Sequence, residues 1–91
     1  METQTSDLNV YVYDQEGVAL PGASVTVTQP EDFKQTQSTN EEGLSRFSIL
    51  LPGHYTAEAQ MGGFQANHKS GTLPVGQTVQ IKIILALASG E

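Results

Sequence analysis

Apolar and polar side chains alternate along much of this chain, with a period of two. "LNVYVYD" sets Leu8, Val10 and Val12 on one side and Asn9, Tyr11 and Tyr13 on the other, the pattern of a half-buried β-strand whose successive side chains face opposite ways. "ASVTVTQ" repeats it, with Ala23, Val25 and Val27 inward and Ser24, Thr26 and Thr28 outward. "HYTAEAQ" does so again, with Tyr55, Ala57 and Ala59 in and Thr56 and Glu58 out. "SRFSIL" predicts Phe47 and Ile49 on one face, and "FKQTQST" reads as a polar edge strand on which Lys34 discourages edge-to-edge pairing. "TVQIKIILAL" is the strongest strand: Val79, Ile81, Ile83 and Leu85 share a face, while Ile84 on the other predicts cover on both sides at that end.

The breaks between these runs carry turn residues: Gly17, Pro21-Gly22, Asn40 with Gly43, Pro52-Gly53, and Gly62-Gly63. Pro30 closes the second run, because proline cannot donate to a ladder. In "LLPGHYTAEA", Pro52 fixes φ and Gly53 takes positive φ readily, so the chain reverses and a strand begins beside His54. Phe64, after "MGG", is expected to fold back onto the core, and "QANHKSGTLPVGQ" to form a short strand and then a loop. With no helical periodicity of useful length, about seven short strands read as an all-β sandwich.

Composition narrows the range of functions. Ninety-one residues are one domain whose core is too thin to wall a deep pocket. The net charge is −6 and the only cations, Lys34, Arg46, Lys69 and Lys82, are scattered, which argues against a nucleic-acid footprint. Without cysteine there is no disulfide, thiolate metal site or Cys nucleophile. "METQTSDL" is polar and acidic and does not read as a signal peptide. "IKIILALA" is too short and carries a Lys, so membrane insertion is not expected.

Each candidate for chemistry has a plainer reading. His54 and His68 could approach a carboxylate such as Glu58, but they have no recognised ligand spacing and read as solvated turn and loop residues. Asp14, Glu16, Glu41 and Glu42 fall in turns without a calcium-loop pattern, so no metal, cofactor or catalytic residue is assigned. Tyr11 and Tyr13 face away from Val10 and Val12. With Phe33 they are the candidate ligand or partner surface, since exposed aromatics stack on sugars or fill a partner's pocket. The plainer alternative is an aromatic pair that stabilises the sheet by a few tenths of a kcal/mol, on the order of 0.2–1.

The motif string resembles a known family. "D-x-x-G-x-x-L-P-G-A-x-V-x-V" from Asp14 to Val27, "T-N-E-E-G" from Thr39 to Gly43, "F-x-x-L-x-P-G-x-Y" from Phe47 to Tyr55, Gly63-Phe64, and "V-G-Q-T-V-x-I-x-I-x-L" from Val75 to Leu85 are similar to the carboxypeptidase regulatory-like domain. The resemblance implies a seven-stranded antiparallel Greek-key β-sandwich, transthyretin-like or Ig-like. Ser45 stands where the family usually has an aromatic, Leu51 where it has a proline, and Val10 where a glycine is common. Collagen-adhesin B-type domains have a similar sandwich, but their internal Lys–Asn crosslink is not expected here: "LNVYVYD" has no Lys and "TVQIKIILAL" no Asn or Asp.

The domain is expected over residues 8–87, with tails at 1–7 and 88–91. The expected role is a non-catalytic accessory module (spacer, folding accessory or protein-interaction domain) of a bacterial cell-envelope or secreted protein. A protein partner or other domains of a parent chain would be its partners. The alternative is a carbohydrate-binding module with a glycan ligand. The edge around residues 33–39 is open to either isolation or strand recruitment. Alternation on the last strand sets two costs apart: Ile83→Ala should destabilise by roughly 2–5 kcal/mol, whereas Lys82→Ala should be nearly neutral if its face is solvated, both read from denaturant midpoints.

Overall fold

The computed structural model describes residues 5–30 and 33–88. The alternating segments become β1 (Ser6–Asp14), β2 (Ser24–Gln29), β3 (Phe33–Ser38), β4 (Leu44–Leu50), β5 (Gly53–Gln60), β6 (Asn67–Leu73) and β7 (Thr78–Leu85). They form two sheets, in the orders β4-β1-β7 and β3-β2-β5-β6. The inward rows meet in one core of Leu8, Val10, Val12, Val25, Val27, Phe47, Leu50, Ala57, Ala59, Ile83, Leu85 and their neighbours, with Phe33 and Phe64 packed partly buried against it. Fully burying each Val, Leu, Ile or Phe contributes about 1.5–3 kcal/mol, and this closes the two layers.

The sandwich is all-β as expected, but one pairing is not antiparallel. β1 and β7 run parallel through eight successive pairs, from Asp7 opposite Thr78 to Asp14 opposite Leu85. Parallel neighbours need a long crossover, and the five intervening strands supply it. β3 is an edge strand of the four-stranded sheet, as its polarity suggests.

Three local expectations are corrected. Ile49 does not share the inner face with Phe47: it is 71% exposed, and Leu50 is buried in its place. The cause is a bulge. Ser6 pairs with Leu50 but Leu8 pairs with Phe47, so β4 carries an extra residue, and Ile49 takes it up at φ 61°. Ile84 is 38% exposed, so the outer side of β7 is not covered there. β1 begins at Ser6, so Ser6 and Asp7 belong to the strand and not to a tail. The remaining tail positions 1–4 and 89–91 lie outside the described residues.

The motif residues account for the turns. Thr39 is buried; its Oγ1 accepts from the Ala23 N–H at 2.9 Å and donates to the Leu20 carbonyl at 2.6 Å, which fixes the Pro21-Gly22 reversal from both sides. Asp14 Oδ1 accepts from the N–H groups of Glu16 and Val18, and Asn40 Oδ1 from those of Glu42 and Leu44. Gln29, also buried, reaches the turn of the Pro52-Gly53 stretch: its Nε2 donates to the Leu51 carbonyl at 2.7 Å and its Oε1 accepts from the Leu51 N–H at 3.3 Å. That turn therefore rests on an amide of β2, the strand paired with β5, with Gly53 at φ 122°.

Gly43 has two reasons to be glycine. Its φ is 77°, and a Cβ there would lie 2.7 Å from the Val12 carbonyl oxygen and 3.0 Å from Ala19 Cβ. The approach is close because the Val12 N–H donates to the Gly43 carbonyl at 2.8 Å, tying the turn to β1. Tyr55 packs across Gly71, its partner on β6, where a Cβ would sit 3.0 Å from the phenolic oxygen. The ring covers a gap that glycine leaves. Burial raises the Tyr55 hydroxyl above its ordinary value near 10.

Gly43→Ala should destabilise by roughly 3 kcal/mol or more, from left-handed strain plus a backbone clash. Gly22→Ala, at φ 79° with nothing within 4 Å, should cost only about 1 kcal/mol; equal losses on chemical denaturation would contradict this account of Gly43. Tyr55 stays protonated in the folded state while the unfolded chain ionises near its ordinary value, so the stability it contributes is intact below about pH 10 and falls as pH rises through the folded value. Melting curves from pH 8 upward should show that loss (about 8 and above, bracketing the phenol range), and Tyr55→Phe should flatten it.

Candidate functional site

The outer face of the three-stranded sheet brings together aromatic, amide and ammonium groups. β1 is its central strand, so residues two apart on it stand side by side, flanked by β4 and β7. Tyr11 and Tyr13 use that spacing. Their rings are parallel within 5°, with centroids 6.3 Å apart, an offset pair in the favourable range. The parallel register sets Lys82 opposite Tyr11 and Gln80 opposite Asn9, and Lys82 Nζ reaches across to 5.2 Å from the centre of the Tyr13 ring, a cation–π contact. On the other flank β4 sets Leu44 opposite Tyr11, and Leu44 is buried although it lies outside the inner core.

Tyr11, Tyr13, Gln80, Ile81 and Lys82 line a shallow depression of about 290 Å³. Both tyrosines are half-buried, so part of each ring remains open to solvent. The arrangement can stack a flat apolar surface and offer it an amide and an ammonium. It holds no nucleophile with an adjacent base.

Phe33 does not join this surface. It pairs with Gln29 on the other sheet and packs against the core. Lys82 and Gln80 are the members that sequence reasoning missed. Nothing local marks them, because their place beside Tyr11 and Tyr13 follows from β1 and β7 being parallel neighbours.

The other polar residues are spread apart. His68 lies opposite Glu58, and His54, four residues before Glu58 on β5, lies opposite Thr72; both histidines are exposed. Among the described residues no three His, Cys, Asp or Glu side chains come together as a metal site. A cleft of about 540 Å³, bordered by Gly22, Ser24, Gln60, Met61 and Phe64, has no ionisable side chain in its lining.

Fold and surface together define a two-sheet β-sandwich module with an aromatic patch on its smaller sheet. The chain belongs to the carboxypeptidase regulatory-like domain family, whose model matches residues 7–86. It is also 32% identical over 81 residues to transcription elongation factor GreA of Mycolicibacterium vanbaalenii, a match covering 79% of this chain and 48% of that protein. The chain thus spans about half the length of the curated relatives it matches. Among solved structures it is similar to the minor pilin of Streptococcus agalactiae, with a TM-score of 0.78 and 16% identity over 98% of this chain and 47% of that one. The 3-chlorocatechol 1,2-dioxygenase of Rhodococcus opacus is similar too, with a TM-score of 0.78 and 12% identity over 96% of this chain and 61% of that one. At such identities the likeness is one of fold. A pilin and a dioxygenase sharing it shows that the sandwich alone does not select a function.

Proposed function

We propose that the domain is a non-catalytic accessory module, acting as a spacer, folding accessory or protein-interaction unit within a bacterial cell-envelope or secreted protein. The observation that carries this reading is how the polar side chains of the turns are used. Asp14, Thr39, Asn40 and Gln29 all bind backbone of the loops around them, so their hydrogen-bonding capacity goes into holding the sandwich. Family membership supports a module that serves a larger chain, and the likeness to a minor pilin supports a surface setting. The transcriptional role in GreA's name finds no support in a net charge of −6 with four scattered cations.

The paired rings of Tyr11 and Tyr13 favour a second reading, a carbohydrate-binding surface with Gln80 and Lys82 as polar contacts. Incubation of the domain with ester, peptide and iron-supplemented catechol substrates should give no turnover. Turnover lost on His54→Ala or His68→Ala would overturn the accessory reading. In parallel, binding on a glycan array that disappears in Tyr11→Ala and Tyr13→Ala would establish the carbohydrate surface, and a blank array would remove it.

A further inference from the structure

We propose that this domain bears tension along its chain, with the β1–β7 ladder as the element that resists. The proposal rests on the accessory-module reading and gives it a mechanical content. β1 starts at Ser6, at the end of the sandwich that carries the 51–52 and 74–77 turns. β7 finishes at Leu85, at the opposite end, beside the 14–18 and 39–43 turns. The chain therefore enters at one end and leaves at the other, and its first and last strands are hydrogen-bonded neighbours. A pull through the chain acts along the strand axis, in opposite directions on β1 and β7.

The geometry decides how that pull is shared. Eight unbroken pairs join the two strands, from Asp7–Thr78 to Asp14–Leu85. In a parallel ladder the hydrogen bonds are evenly spaced, so sliding one strand past the other loads them together. Strands pulled apart from a common end would instead lose their bonds one after another. The β1–β4 edge, by contrast, is interrupted by the bulge at Ile49, so it is the less continuous seam.

Both ends of the ladder are tied down. At the entry, the Asp7 N–H donates to the Gln77 carbonyl at 3.1 Å, and the Ser6 hydroxyl donates to the Pro74 carbonyl. At the exit, the Gln65 N–H donates to the Ala86 carbonyl at 2.8 Å and the Ala88 N–H to the Gly63 carbonyl at 3.0 Å, which fastens the segment after Leu85 to the 63–65 loop. Towards the exit the seam is also shielded from water. Val10, Val12, Ile83 and Leu85 close it from inside at 0% exposure, and Lys82 of β7 lies over Tyr13 of β1 across its outer side. With no cysteine in the chain and no lysine in β1, the tie is non-covalent, so it should re-form once load is removed.

Single-molecule force spectroscopy on the domain, placed between marker domains of known unfolding force, tests this. Pulling through the two chain ends should give one unfolding peak, a lengthening of roughly 250 Å, and recovery on relaxation. Pulling between the N-terminal end and a cysteine at Val75→Cys, an exposed position near the start of β7, peels the same ladder from one end and should need severalfold less force. Tyr13→Ala with Lys82→Ala should lower the end-to-end force while leaving the peeling force nearly unchanged, since forced unfolding follows the unfolding barrier. Equal forces in the two directions, or end-to-end unfolding in small steps, would overturn the proposal. A low end-to-end force without substrate turnover removes the load-bearing role and leaves the accessory reading; a high force with turnover does the reverse.

Discussion

The seating of β1 is the constraint on which the rest of the molecule depends. It is the central strand of the smaller sheet, and Leu8, Val10 and Val12 on its inner side are wholly buried. Its two edges bind strands from distant parts of the chain, β4 from its middle on one side and β7 from its C-terminal part on the other. Each inner residue removes apolar surface from water, and each edge satisfies backbone groups that would be costly to bury unpaired. Gly43 belongs to the same constraint. Its turn presses on the Val12 carbonyl so closely that no side chain fits, which anchors the loop before β4 to the strand on which β4 is laid.

A small sandwich has little interior to spare, and its buried polar residues reflect that. Thr39 and Gln29 are both buried and both bind main-chain groups of turns. In such surroundings an unpaired amide or hydroxyl is costly, and these two side chains resolve the cost by holding reversals that glycine and proline alone would leave loose. Ser45, on the inner face opposite Val10, likewise donates to the Val10 carbonyl at 3.4 Å, so a small polar residue takes the place of an aromatic without leaving a polar atom unpaired.

The parallel pairing of β1 and β7 links structure to function. It gathers Tyr11, Tyr13, Gln80 and Lys82 into one outward surface, and it makes the first and last strands direct neighbours running the same way. One topological choice therefore creates the candidate binding face and a path by which load would cross the domain. The shared fold of pilins and dioxygenases fits this view, since the scaffold is common and the side chains on its faces and loops differ.

Much of the fold was legible from residue order, because alternation states which side of a strand faces the core. Val25 and Val27, Ala57 and Ala59, and Ile83 and Leu85 all lie where period two puts them. The turn chemistry of Asp14, Asn40 and Pro52-Gly53 was equally readable, being local. Ile49 was not: a bulge shifts the phase of a strand by one residue, and it is set by how β4 registers on β1, not by any property of "SRFSIL". Gln29 and Thr39 looked like ordinary strand and turn residues until distant backbone came within bonding reach. Phe33 looked like a companion to Tyr11 and Tyr13, yet it falls on the other sheet and turns inward. The chain by itself determined which segments extend, where they reverse and which side of each is buried, since those follow from neighbours one to four positions apart. Only the tertiary structure decided which strands adjoin and in which direction, and so which side chains share a surface, because those pairings join residues some seventy positions apart, such as Tyr11 and Lys82.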